Sequence, residues 1–389
     1  MNDSRSSSML LVRAASVALL LLLLLAVITS TCCPSRPRVS GPSSPPLAVN
    51  VSQHGPLPSL RFLTFNVYGP FSGSSNVRER LSDLVRYVGK YDVIAMQEVF
   101  TMSVFGVVIW GHQRWLVDRM REQGFTYHVV PPDPWFGQNA GLLIVSRFPL
   151  TEAVWLPYTD WSGIDMWTWK GSIFADLEIS DRLSRLKVGN THLQCGKGRT
   201  LHSIQPRNWW LMGLEAFFLH LSSYAVNSCG IYTRSVRQSQ VSEIVRHIRE
   251  TVGLKLQEQH LLCDRCKLGG ILLVGDLNID ARHQLKAYQA ANRTLNPLED
   301  ILLAEQISKG QAVSFTDRNA TDIIGFESLD YAWFSSVRSQ QLANSSYVYV
   351  SGSAQVFGLK AFNETYGVGE NKFISDHLAL ELQIKPVNA

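Results

Sequence analysis

The sequence predicts an α/β fold built in layers, and three of its features do so. Short apolar runs rich in β-formers recur along the chain, helix-compatible stretches lie between them, and no segment repeats at a fixed period. The 389 residues are 46% hydrophobic and 17% charged, which excludes disorder as the main state and leaves room for one large domain or two small ones. Sheets covered by helices bury both faces, so their strands read as continuous apolar runs.

The first element is an apolar run, Ala14–Ile28, with seven consecutive leucines, preceded by Arg5 and Arg13 and followed by Cys32, Cys33 and Pro34. It reads as a secretion signal over residues 1–33. The run is shorter than the ~20 residues of a comfortable transmembrane helix, so a cleaved signal peptide and an uncleaved anchor are both open. Either way the basic end stays cytoplasmic, and the rest of the chain is expected on the lumenal or extracellular side. Cys32 and Cys33 stand where palmitoylation occurs, or are thiols lost with the signal. Residues 34–59 are rich in Pro, Ser and Gly without hydrophobic periodicity, which predicts a flexible tether, so the folded domain is expected over 60–389.

From Leu60 onward strands are predicted at Arg61–Val67, Asp92–Glu98, Gly141–Ser146, Ile173–Ile179, Leu186–Gln194, Gly270–Asp276, Leu329–Phe334 and His377–Ile384. Helices are predicted at Asn76–Val88, Gln113–Glu122 and Val236–Glu250. Two aromatic segments break the pattern: Thr101–Trp115, and Ile204–Leu221 within an insertion at about 196–235. They either pack as extra core or insert into a lipid interface through Trp110, Trp209, Trp210, Phe217 and Phe218.

Export places Cys195, Cys229, Cys263 and Cys266 in an oxidising compartment, where Cys195–Cys229 and Cys263–Cys266 are the favoured bridges of three possible pairings. Sequons at Asn50, Asn292, Asn319, Asn344 and Asn363 agree with that fate. A net charge of +4 is too weak to indicate nucleic acid as a partner.

Polar side chains then recur where strands end. Asn66 ends LTFNVY, Glu98 ends VIAMQE, and Asn139 precedes AGLLIV. His192 lies in GNTHLQ, Asp276 and Asn278 in VGDLN, and Asp376-His377 precedes the last strand. Singly, such residues form turns. Together they are the groups that hold a hard cation and a phosphate.

That order resembles the endonuclease/exonuclease/phosphatase (DNase I-like) superfamily: N, QE, NAG, THLQ, GDLN, LDY and SDH over about residues 60–385. Within it the neutral sphingomyelinases are most similar, through Thr191-His192-Leu193-Gln194, Asn66-Val67-Tyr68, the Asp-x₄-Lys-Gly segment from Asp165 to Gly171, and Arg237-Gln238-Ser239-Gln240-Val241. The aromatic insertion between Gly196 and Ser235 departs from the family.

The resemblance implies a four-layered α/β sandwich, two β-sheets packed together and flanked by helices, with its site where strand ends converge. It also implies a Mg²⁺-dependent phosphodiesterase, with Mn²⁺ or Co²⁺ as substitutes, that cuts sphingomyelin to ceramide and phosphocholine as a monomer at a membrane surface. Phosphodiester hydrolysis needs a metal, a base for water and donors for the developing phosphorane. Glu98 is the expected main metal ligand with Asn66 beside it, and Asp376 either completes the metal site or fixes His377. His377 is the expected base, oriented by Asp330, while Asp276 orients the water. Asn278 and Asn139 are expected to bind the phosphate, and His192 to donate to a phosphoryl oxygen or protonate the leaving alkoxide.

By the resemblance Lys170 is expected near the phosphate with Asp165 as its partner or switch, the competing reading being a solvated surface lysine. Choline is a quaternary ammonium that aromatic faces attract, and Trp155, Tyr158, Trp161, Trp167 and Trp169 are candidates, at most two of them in contact with it, with core packing as the rival for each. Other readings are a secreted nuclease, a phospholipase C for inositol phosphorylceramide or lysophospholipids, and an inactive membrane-binding module.

Overall fold

The computed structural model describes residues 37–40, 58–70, 74–161, 168–179, 185–195, 233–253, 255–257, 260–262, 268–312, 314, 318–323, 325–338, 349–362, 365, 367–369 and 372–386. The chain runs through β1 (Arg38–Ser40), β2 (Leu60–Asn66), α1 (Val77–Tyr87) and β3 (Val93–Gln97). A hairpin of β4 (Thr101–Val104) and β5 (Val107–Gly111) precedes α2 (Gln113–Glu122). Next come β6 (Tyr127–Val130), β7 (Phe136–Gln138), β8 (Leu143–Ser146), β9 (Leu150–Pro157), β10 (Gly171–Glu178) and β11 (Arg185–His192). The long helix α3 (Thr233–Val252) leads to β12 (Lys255–Gln257), β13 (His260–Leu262) and β14 (Leu268–Asp276). The last described elements are α4 (Leu285–Leu295), β15 (Glu299–Asp300), α5 (Ile301–Ser308), β16 (Asp330–Arg338), β17 (Tyr349–Phe357) and β18 (Ala379–Pro386).

Among the described residues the strands form a seven-stranded sheet, β1-β6-β8-β3-β2-β18-β17, an eight-stranded sheet, β12-β13-β16-β14-β11-β10-β9, and a small sheet, β5-β4-β7. Strand alternation explains the layering. On β2, Leu60 and Phe62 point between the two large sheets, where they meet Ile173, Val188, Leu272 and Val274. Leu63 and Phe65 point the other way, onto Leu81 and Leu84 of α1 and, across the same face, Leu116 and Met120 of α2. The outer face of the second sheet, with Phe174, Leu273 and Trp333, is covered by Val241, Ile244 and Ile248 of α3 and by Tyr288 and Ala291 of α4. Three apolar interfaces between four layers give the α/β/β/α sandwich that the sequence predicts.

Two expectations change. Arg38–Ser40, read as part of a tether, pairs antiparallel with β6, Val39 opposite Val129. It covers what would otherwise be an open sheet edge, so ordered structure reaches upstream of Leu60. Thr101–Trp115 is no irregular insertion either: it is the β4–β5 hairpin followed by the start of α2. Residues 1–36 and 196–232 lie outside the described residues, and with them the signal and most of the aromatic insertion. Among the described residues no helix is long and apolar enough to cross a membrane.

Candidate active site

The two central strands β2 and β3 run parallel, with Asn66 opposite Gln97, so Asn66 and Glu98 emerge at the same end of the first sheet. In the second sheet β11 and β14 are also parallel, with His192 opposite Asp276, and β16 sets Asp330 opposite Asp276. Polar ties join the two sheets in register. Gln97 donates to the Asn190 side-chain oxygen at 2.7 Å, and Asn190 donates back to the Met96 carbonyl at 2.9 Å. Side chains from both sheets therefore converge at one end of the sandwich.

There the Asn66 amide, fully buried, donates to Glu98 Oε1 and to Asp276 Oδ2, each at 3.0 Å. Its own oxygen accepts from the Tyr68 N–H at 3.0 Å. His192 Nε2 stands 3.6 Å from Asp276 Oδ2 and 3.9 Å from Glu98 Oε1. His377 Nδ1 bonds Asp330 Oδ2 at 2.7 Å, and its Nε2 faces Asp276 Oδ2 at 3.7 Å. Asp276 is thus shared by two groups that can hold a metal, Glu98–His192–Asp276 and Asp276–Asp330–His377.

Crowding of buried carboxylates sets the electrostatics. Burial, then the charge of Asp376, pushes Glu98 up to about 7. Asp276 is pushed up to about 6, mainly by burial. Burial opposes protonation of His377, but Asp330, Asp276 and Asp376 outweigh it and hold the ring well above its ordinary range. His192 is driven the other way by burial, Lys170 and His377, which keeps its imidazole neutral.

The donor set suits a hard divalent ion. Glu98 and Asp276 offer carboxylate oxygens, and the second oxygen of Asp330 is buried without a hydrogen-bond partner. Glu98 and Asp276 are the residues that would hold it, with His192 adjoining them. Asp376 stands beside this set but in neither group; its carboxyl is raised by burial, and Ser375 donates to it at 3.3 Å.

Lys170 is buried, so the surface-lysine reading fails: its Nζ donates to the Leu193 carbonyl at 3.2 Å, the acceptor that Asn278 Nδ2 also uses. The Asn278 N–H donates to Asp276 Oδ1 at 2.8 Å and fixes the carboxylate. Asn139 serves the backbone here. Its oxygen accepts from Thr101 and Gly141, and its amide reaches Asp133 at 3.3 Å.

Tyr158 is a correction to the choline expectation, because its ring is packed in the core under α3 with the hydroxyl between Ser172 and Thr191. Trp169 is half-buried next to Lys170, while Asp165 and Trp167 lie outside the described residues. So do Trp209, Trp210, Phe217 and Phe218, and Trp110 is half-buried against the His112 ring. Of the cysteines expected in bridges, Cys195 is half-buried, and Cys229, Cys263 and Cys266 are outside the described residues. Of the sequons, Asn319 is exposed, Asn292 is half-buried in α4, and Asn50, Asn344 and Asn363 are outside the described residues.

Two buried arginines that sequence reading missed hold the site's loops. Arg80 of α1 donates to the carbonyls of Val67, Tyr68 and Ile374, tying the loop after β2 to the one before His377. Arg318 pairs with Asp300 and donates to the Asp330 carbonyl at 2.8 Å. An arginine within an amphipathic helix or a loop looks solvated in sequence, and only tertiary packing reveals these two.

A family model for endonucleases, exonucleases and phosphatases matches residues 63–377, from β2 to the histidine facing the carboxylates. The chain belongs to the endonuclease/exonuclease/phosphatase family. Members of the family are hydrolases. A sphingomyelinase of Dictyostelium discoideum is 24% identical over 209 residues, which take in 50% of this chain and 38% of that protein. Beta toxin 275-280 from Staphylococcus aureus shares the fold at a TM-score of 0.51 and 16% identity, over 83% of this chain and 99% of that one. Sphingomyelinase C from Streptomyces griseocarneus follows at 0.49 and 14%, over 84% and 99%. At 16% identity the beta toxin structure speaks to the fold alone.

Proposed function

We propose that this chain is a phosphodiesterase that hydrolyses sphingomyelin to ceramide and phosphocholine with the help of a divalent cation, Mg²⁺ by preference, on the lumenal or extracellular side. The observation that carries this reading is the buried His377–Asp330 pair set across Asp276 from Glu98 and His192. Similarity to the Dictyostelium sphingomyelinase supports the substrate, and the apolar N-terminal run and the sequons support the compartment.

His377 is the base. A divalent cation beside Glu98 and Asp276 would offset the carboxylates that raise the ring and favour its neutral form, in which Asp330 holds the Nδ1 proton and Nε2 is left to take a proton from the attacking water. Asp276, fixed by the Asn278 N–H and Asn66, orients that water. A neutral His192 suits hydrogen-bond donation to a phosphoryl oxygen better than proton delivery, because burial and Lys170 disfavour its charged form. A divalent cation held by Glu98 and Asp276 would neutralise charge on the phosphate. Lys170 adds a buried positive charge on the same side.

Release of phosphocholine from sphingomyelin vesicles with and without Mg²⁺ tests the reading, alongside inositol phosphorylceramide, lysophosphatidylcholine and plasmid DNA. Mg²⁺-dependent release from sphingomyelin is expected. Nicking of plasmid without lipid hydrolysis would overturn it in favour of a nuclease.

A further inference from the structure

The hairpin after Glu98 carries an unusual set of side chains into solvent. β4 and β5 are joined by Phe105 and Gly106, both with positive φ, 52° and 75°. Such two-residue turns favour Asn and Gly, and a phenylalanine there is strained. Its ring sits edge-on to Trp135, 6.2 Å between centroids, and the Gly106 N–H donates to the Trp135 carbonyl at 2.9 Å. Phe105 and Trp135 are each 47% exposed, Val107 64% and Ile109 59%. Val107 and Ile109 share one face of β5, whereas Val108 and Trp110 on the other are half-buried.

No charged residue occurs from Met102 to Gly111, although β5 is an edge strand, where soluble proteins place charges to discourage pairing. The sheet that carries this tip is also the sheet that borders the site. β4 begins just past Glu98 and is held by Asn139, and the Gln138 carbonyl of β7 takes the Trp169 N–H at 3.1 Å, one residue before Lys170.

We propose that the β4–β5 tip inserts into a lipid bilayer, with Phe105, Val107, Ile109 and Trp135 entering the interfacial layer and bringing the bordering site to the headgroups. This rests on the reading above that the substrate is a membrane lipid. Aromatic and aliphatic side chains gathered at an uncharged turn fit that layer. A second copy adding to the β5 edge is the competing occupant.

The variant F105N/V107T/I109T tests it. Asn suits the left-handed turn and Thr suits a strand, so the fold is kept, as thermal unfolding will check. Binding is read by co-sedimentation with phosphatidylcholine/sphingomyelin vesicles in chelator, and turnover on monomeric short-chain sphingomyelin with Mg²⁺. The variant should bind vesicles at least about tenfold more weakly than the parent and turn over the short-chain lipid within about twofold of it.

Equal vesicle binding by parent and variant overturns the proposal, as does a parent that binds no vesicles. A parent dimer on size exclusion that the variant dissolves overturns it in favour of edge pairing. Vesicle binding does not depend on turnover. A parent that binds vesicles through this tip but hydrolyses no sphingomyelin therefore refutes the substrate reading alone.

Discussion

Glu98 takes a left-handed backbone, φ 62°, where β3 gives way to the hairpin, and Tyr68 and Asn278 do the same after β2 and β14, at 53° and 51°. For a glutamate this conformation costs about 1–3 kcal/mol, and it persists because Asn66 and the surrounding strands determine the position. Asparagine tolerates the same backbone without a charge to bury. Glu98→Asn should therefore hold or raise the thermal midpoint while lowering turnover at least about a hundredfold, a trade of stability for function. A variant that loses both equally would show Glu98 to be structural. Asp330→Asn leaves the ring contact but weakens the hold on the His377 proton, and phosphodiester turnover should fall by about 10²–10⁴ with circular dichroism unchanged. Near-parental turnover would remove His377 as the base.

At the scale of elements, the parallel pair β11–β14 sets the site's geometry, and Gly275 makes its close approach possible. Its φ is 138°, and a Cβ there would lie 1.9 Å from the Thr191 carbonyl oxygen. Gly275→Ala should cost more than about 2 kcal/mol in denaturant unfolding, since only backbone movement relieves the clash. An unchanged midpoint would mean the strands can part. The eight strands and three helices read from sequence all form, because long apolar runs buried on both faces leave little ambiguity. The ones missed are short, polar or interrupted: β9 ends in Pro157 and contains Glu152, and β17 is an edge strand broken by a register shift beside Gly352. Glu98, His192 and Asp276 are legible because each stands at the end of a strand where no apolar face needs it, and His377 because it just precedes one, whereas Asp330 comes only through the family resemblance. The Gln97–Asn190 tie, the roles of Arg80 and Arg318, and the burial of Tyr158 are not legible, since each depends on which surfaces the two sheets bring together.

Across the whole molecule, burial holds together a sandwich whose working end is crowded with acid groups, and one part of its response to acid arises elsewhere. His128 on β6 is buried far from that end of β3. Burial first, then Arg121 and Arg38, push its imidazole down to about 4 from an ordinary 6.5. Between those values the unfolded chain binds the proton and the folded chain does not. Its contribution is therefore complete above pH 6.5 and is lost as pH falls towards 4. His128→Gln should flatten that stretch of the stability curve in thermal melts from pH 7 to 4, and superimposable curves would rule the histidine out.

In the proposed mechanism strand tips from two sheets build one divalent-cation site at Glu98 and Asp276. Electron paramagnetic resonance of Mn²⁺ binding reads that site without any substrate. One site competed by Mg²⁺ and abolished by Glu98→Gln is the predicted result, and a Glu98→Gln protein that binds Mn²⁺ as tightly as the parent would contradict it.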